Sequence, residues 1–368
     1  MKNKVLALIL AAGLLVGTIA CNNQPATPSS ELPPSESAST TESAAPEESS
    51  EETAEQSPES TAAEAESGHY PVTITTYNYA GDAIETVYEK APEKVLAVYQ
   101  GSAETMIALG LEDHVVKSYG LDNEIKEEWQ AGFEKMNYDD SVFAPDKETV
   151  VMLEPDMIFS WGSFFGEKKL GDVDYWIENG TNPYINSNTR SGGHPRTLEN
   201  EYTDILNIGK IFDVEADAQA IVDEMKNEIA DVLSKTSGQE KQSVAIIEFM
   251  DPVTNYGAAS LGGDMVTQLG GELAMPEVPS IGNEDLIAAD PDVIFVVYMA
   301  YAGEDGEDEK QTQLAKILEE PAFASLSAVQ NERVYPIMLG DMYASAVRTM
   351  DGIQTFAQGL YPDLYAAE

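Results

Sequence analysis

The chain has 368 residues and a formal charge of −45, from 65 Asp and Glu against 20 Lys and Arg. Binding nucleic acid or the surface of an anionic membrane requires basic patches, so this balance excludes both as the main role of the chain. Beyond its first residues no apolar stretch approaches membrane-spanning length.

Lys2 and Lys4 precede an apolar run, Val5 to Val16, that is too short to span a bilayer and suits a secretory signal. Residues 1–20 are therefore read as a signal peptide. The run ends at Gly17-Thr18-Ile19-Ala20-Cys21, which resembles a bacterial lipobox with Thr18 where Leu is usual. Cys21 is the single cysteine, so no internal disulfide can explain it. Diacylation of Cys21 would supply a stable anchor, and an incidental free thiol is the rival reading. From Asn22 to Gly68 there is no Lys, Arg or aromatic residue, only a Ser, Thr, Ala, Pro and Glu background that cannot bury a core. Residues 21–70 read as a disordered acidic tether with an end-to-end distance of roughly 40 Å; the alternative is an acidic interaction tail.

What remains is roughly 300 residues, enough for two lobes. Val95 to Tyr99 reads as a strand leading into a helix that ends at Ala108-Leu109-Gly110, and Val244 to Met250 precedes a second helix ending at Gln268-Leu269-Gly270. Downstream of the first, Glu148-Thr-Val-Val-Met-Leu-Glu-Pro155-Asp156-Met-Ile158-Phe159 returns after the second as Glu284-Asp-Leu-Ile-Ala-Ala-Asp-Pro291-Asp292-Val-Ile294-Phe295. Each copy reads as a capped helix, with Asp146 or Asn283 as the cap, then a turn and an apolar strand. Between the lobes Ala218, Ile221, Val222, Met225, Ile229, Val232 and Leu233 fall at helical spacing, which predicts a helix from about Glu215 to Lys235, roughly 30 Å long. The expected architecture is α/β: two Rossmann-like lobes with parallel-rich sheets, residues 71–210 and 239–368, joined by one long α-helix within 211–238, with a ligand cleft between the lobes.

Further stretches carry a family resemblance: Ala91-Pro-Glu-Lys-Val-Leu, Glu104 to Gly110, Tyr202-Thr-Asp-Ile to Gly209-Lys-Ile-Phe, Pro321-Ala-Phe, Leu326 to Tyr335 and Leu360-Tyr361-Pro362. In this order, over nearly the whole mature domain, the chain resembles the helix-linked solute-binding proteins for ferric siderophores, haem and cobalamin. It departs at Glu332, where the family often has Gly. The resemblance implies an extracytoplasmic lipoprotein, held at the cell membrane through acylated Cys21, that delivers a bulky ligand to an ABC permease dimer and its ATPase. It also implies that Glu148 and Glu284 dock on permease arginines. The plainer reading of both is that they complement the positive ends of their helices, an effect of about 0.3–1 kcal/mol.

Rival classes lack their chemistry. There is no G-x-S-x-G elbow, Walker A loop or G-x-G-x-x-G after a strand, which counts against an extracellular enzyme and leaves no catalytic residue to name. A naked metal ion would need several converging His and carboxylates, whereas His69 ends the tether, His114 lies in a surface turn and only His194 falls near the cleft. No cofactor and no metal held directly by the protein are expected. A purely structural surface lipoprotein would not need two related lobes.

Ligand should lie at the carboxyl ends of the strands. Tyr99, Gln100 and Trp161 follow strands of the first lobe, Tyr298 and Tyr301 their equivalent in the second, and Tyr256 and Tyr343 occupy further loops. Arg190, Arg196 and Arg348 are rare cations in an acidic chain, and the first two flank Ser191-Gly-Gly-His194-Pro195. An arginine fork suits carboxylate or catecholate oxygens, so these side chains point to a ligand with negative charge or exposed acceptors, a ferric siderophore above all, with cobalamin or haem as alternatives and haem recruiting His194 or a Met. Pairing with surface carboxylates is the competing role for each arginine.

Overall fold

Two sheets with the same strand order organise the chain. The computed structural model describes residues 68–166, 169–301 and 303–366, which all lie within one compact unit, Ala63–Glu368. The signal peptide, Cys21 and nearly all of the tether lie outside the described residues. The strands are β1 (Val72–Tyr77), β2 (Ala83–Tyr88), β3 (Val95–Val98), β4 (Val115–Tyr119), β5 (Met157–Ser160), β6 (Asn182–Ile185), β7 (Ser243–Glu248), β8 (Val253–Asn255), β9 (Glu272–Leu273), β10 (Ser280–Ile281), β11 (Val293–Tyr298) and β12 (Val334–Met338). β1 and β2 form an antiparallel hairpin. The first sheet runs β4-β3-β5-β6, all parallel. In the second, β9 and β11 flank β7 and β12 follows β11, again all parallel, and the antiparallel β8 and β10 extend it. The order second-first-third-fourth is thus repeated, and each lobe is a Rossmann-like α/β unit.

Parallel strands buried on both faces carry apolar residues at every position. Along β3, Val95 and Ala97 enter one cluster while Leu96 and Val98 enter another; along β11, Val293, Phe295 and Val297 are separated from Ile294 and Val296 in the same way. The inner faces of both sheets share a single cluster, and the helix Glu215–Lys235 lies in it through Ala218, Val222, Met225, Ile229 and Val232. Ile221 is half-buried and Leu233 is exposed, so the apolar stripe expected from spacing is narrower at its end. A continuous apolar seam of this kind resists wide opening of the lobes.

The repeated Pro-Asp turn has a structural cause. The helix Lys147–Leu153 ends at Glu154 in the left-handed region (φ 48°), and the Asp156 carboxylate then accepts from the Glu93 and Lys94 N–H groups at 2.8 and 2.9 Å. In the second lobe Asp290 (φ 40°) ends the helix Asn283–Ala289, and Asp292 accepts from Ser243 N–H at 2.8 Å. Each aspartate ties the corner to the chain entering the neighbouring strand. Asp146 caps its helix, accepting from Thr149 N–H at 2.9 Å. Asn283 does not: it is the first helical residue, and the extended Gly282 takes the cap position, its N–H donating to Asp285 at 2.8 Å. Glu332, where a glycine was expected, has φ 57°, a conformation that strains an L-residue by about 1–2 kcal/mol.

The linker helix approaches the helix Leu198–Ile211 at Gly209, where a Cβ would stand 2.4 Å from that of Ala218. We expect Gly209→Ala to destabilise the fold by about 1–3 kcal/mol, because two packed helices must separate to admit it. Thermal unfolding of the variant checks this; an unchanged midpoint would show that the helices can shift without penalty.

Candidate ligand-binding site

In both sheets the order of strands reverses between the first and third, where an open α/β sheet leaves a crevice at its carboxyl edge. The residues at and after those ends line one cavity of about 400 Å³. Tyr99 and Gln100 follow β3, Trp161 follows β5, Glu248 ends β7 with Met250 just beyond, and Met299 and Tyr301 follow β11. Tyr256, after β8, and Tyr343 and Arg348, after β12, close the second lobe's side.

A chain of rings crosses from one lobe to the other. Tyr99 and Trp161 have centroids 3.8 Å apart at 43°, Trp161 and Tyr343 lie 6.0 Å apart at 34°, and Tyr256 meets Tyr343 edge-on at 6.3 Å. Tyr99 holds φ 88° and ψ 153°, a region nearly reserved for glycine and costing of order 1–3 kcal/mol. Strain of this kind at the mouth of a cavity is a mark of a functional position. Trp161 Nε1 is buried and donates to no described group.

The polar part of the wall is acidic. Tyr99 donates its hydroxyl to Asp122, and Tyr256 donates to Glu248 at 2.6 Å. Burial pushes the Asp122 carboxyl up from its usual range, partly offset by the Tyr99 hydroxyl. Both phenols are held far above their ordinary value, first by burial and then by the carboxylates they meet. Gln100 organises the loop after β4: its carbonyl accepts from Asp122 and Asn123 N–H at 3.0 and 2.9 Å, while its amide donates to Glu104 at 2.6 Å. Asn123 then reaches the other lobe, donating to Ala300 O at 2.7 Å.

Arg348 is the cation on this wall, and it is already paired. Its guanidinium donates in bidentate fashion to Glu104, at 2.7 and 2.6 Å, with side chains 5% and 0% exposed. Burial opposes the charge of both groups, and for Arg348 the pairing outweighs it. The pair spans the two lobes, as do the Lys126–Asp351 pair and Glu201, which accepts from Ala346 N–H at 2.7 Å.

The other expected residues lie elsewhere. Arg190 is engaged by Tyr77, donating to its hydroxyl at 2.6 Å and stacking on its ring. His194 is exposed on its glycine-rich loop, away from the cavity lining. Arg196 is outside the cavity lining, 3.6 Å over the Tyr343 ring, with its Nε donating to Asn188 O at 2.9 Å. Tyr298 ends β11 outside the lining, with Lys310 over its ring. Glu148 and Glu284 are exposed in the first turns of equivalent helices. Asp122, Asn123, Glu248, Met250 and Met299 were not anticipated. All five follow from the strand-end rule once it is applied to β4, β7 and β11 as well.

Two related α/β lobes on one helix, with a cavity at the facing strand ends, define a helix-linked binding protein of two lobes. The chain belongs to the periplasmic binding protein family, whose model matches residues 95–338, and its function is to bind a substrate. It is similar to an uncharacterized ABC transporter substrate-binding lipoprotein, YvrC, of Bacillus subtilis (strain 168), 22% identical over 83% of this chain and 91% of the relative. The petrobactin-binding protein YclQ of the same organism is 25% identical over 73% of this chain and 82% of its own length. The crystal structure of a periplasmic binding protein from Veillonella parvula DSM 2008 superposes with a TM-score of 0.74 at 30% identity, covering 80% of this chain and 93% of that one.

Proposed function

We propose that the chain is the extracytoplasmic receptor of an ABC importer, anchored through acylated Cys21, which captures a ferric siderophore and presents it to a permease dimer through Glu148 and Glu284. It binds its substrate and does not transform it. The observation that carries the choice of ligand is the aromatic bridge Tyr99–Trp161–Tyr343–Tyr256, which offers ring faces to the apolar periphery of a chelate. The name of the petrobactin-binding relative supports the same class.

The charge of the wall refines it. Asp122 and Glu248 line the cavity, Arg348 is neutralised by Glu104, and Arg190 and Arg196 are engaged by other groups. A chelate that is neutral or positive overall, with donors toward the two carboxylates, fits better than a polyanionic catecholate. A planar macrocycle such as cobalamin is the second reading, favoured by the same tilted stack of rings.

Fluorescence titration with neutral and cationic hydroxamate chelates, an anionic catecholate chelate, haem and cobalamin tests this. Ferric hydroxamates should quench tightly, and Trp161→Leu should abolish most of the quenching. Tight binding of the catecholate alone, or of cobalamin alone, would overturn the choice. Separately, replacing Glu148 and Glu284 together by Ala should abolish uptake while leaving ligand affinity unchanged; uptake at the normal rate would reject the docking role.

A further inference from the structure

Outside the cavity lining, the start of the described chain meets the start of the linker helix. His69 Nε2 lies 2.8 Å from Lys210 O, one of the last carbonyls of the helix Leu198–Ile211, and the adjacent Tyr70 donates its hydroxyl to Ile211 O at 2.7 Å. A carbonyl only accepts, so Nε2 carries the proton of this bond. Nδ1 therefore faces the other way, toward the carboxylates of Asp213 at 3.3 Å and Glu215 at 3.5 Å. A bare nitrogen lone pair opposite two carboxylates is repulsive and calls for a cation between them.

The distances say which cation fits. A proton on Nδ1 would draw a carboxylate oxygen to about 2.7–2.9 Å, the length of a charge-assisted bond. A tetrahedral ion with bonds of about 2.0–2.1 Å instead holds its ligand atoms about 3.3–3.4 Å apart. The observed separations match the second figure, and the ligand atoms of all three residues lie within 4.8 Å of one another. The imidazole N–H donating to a backbone carbonyl is the arrangement that fixes a metal-binding tautomer. Among the described residues no lysine or arginine pairs with Asp213 or Glu215. The side chain of His69 is 15% exposed and the carboxylates about half, which leaves a solvent-facing side for a water to complete the shell.

We propose that His69, Asp213 and Glu215 form a binding site for a divalent transition metal, of the kind typified by Zn²⁺, that clips the point where the tether enters the fold to the first turn of the linker helix. The site is independent of the ligand cavity. Calorimetric titration of the full mature chain with ZnSO₄, with excess MgCl₂ present to occupy tether carboxylates, tests it. One ion per chain should bind and raise the unfolding temperature, and His69→Gln should weaken binding by about 10- to 100-fold or more and remove the thermal shift. His194→Ala should change neither. In the wild-type protein, Zn²⁺ should move the Nδ1 resonance of His69 in long-range ¹H–¹⁵N spectra, a readout that does not depend on a variant folding. Equal Zn²⁺ affinity in wild type and His69→Gln, no saturable binding at all, or an Nδ1 that remains protonated with Zn²⁺ present would each overturn the proposal.

Discussion

Arg348→Ala should destabilise the protein by about 3–5 kcal/mol, the usual consequence of leaving one member of a buried ion pair without its partner. Glu104 is fully enclosed, and burial already pushes its carboxyl up even with the guanidinium in place. Without Arg348 that carboxyl would rise further, so the native state would hold a proton that the unfolded chain releases. Stability of the variant should then fall as pH rises from about 4.5 toward neutrality, the direction set when the native state binds more protons. Denaturant unfolding across this range measures both effects. The double variant Glu104→Leu with Arg348→Met should recover most of the loss, since a buried pair replaced by apolar groups of similar volume is often neutral. A loss below about 1 kcal/mol in the single variant would mean that water reaches the pair.

The second large effect concerns Asp341, which is 13% exposed beside Arg348 and close to Asp351, with Lys126 and Glu104 also facing it. Burial first, and then the negative charge of Asp351, raise its carboxyl from 3.8 to about 7. With Asp341 ionised, three carboxylates face two cations in this cluster; with it protonated, the charges balance. The raised value means that the native state retains a proton the unfolded state loses, so this group's contribution is fully present below about pH 4 and is lost as pH rises toward 7. Asp341→Asn keeps the shape without the titration. At pH 8 the variant should be more stable than wild type by on the order of 4 kcal/mol, and near pH 4 the two should nearly agree. Parallel pH profiles for both proteins would reject the assignment. The cluster joins Glu104 and Lys126 of one lobe to Asp341, Arg348 and Asp351 of the other. Protonation therefore bears on how firmly the lobes are held together.

Much of this architecture was legible before folding. The repeat around Glu148 and Glu284 announced two equivalent lobes, because a helix capped at its start, turned at Pro-Asp and followed by an apolar strand is local chemistry written within a dozen residues. The linker helix was readable from its stripe, since helical period alone decides which residues can share a face. Tyr99, Trp161 and Tyr301 were reachable by a topological rule, that the segment after a parallel strand opens onto the crevice.

The charges of the site were not legible in this way. Arg190, Arg196 and Arg348 are equally rare in the sequence, yet each meets a different partner: Tyr77, the Tyr343 ring with Asn188 O, and Glu104. Glu104 and Arg348 are separated by 244 positions, and Arg190 and Tyr77 by 113. No periodicity links residues so far apart. The sequence by itself determined the elements, their repetition and the order in which they join, because those depend on interactions within a turn of helix or a few residues of strand. Only the tertiary structure decided which side chains face the cavity and with what net charge. Coulombic pairing and desolvation act through space between groups that the chain brings together only when both lobes close on the linker helix.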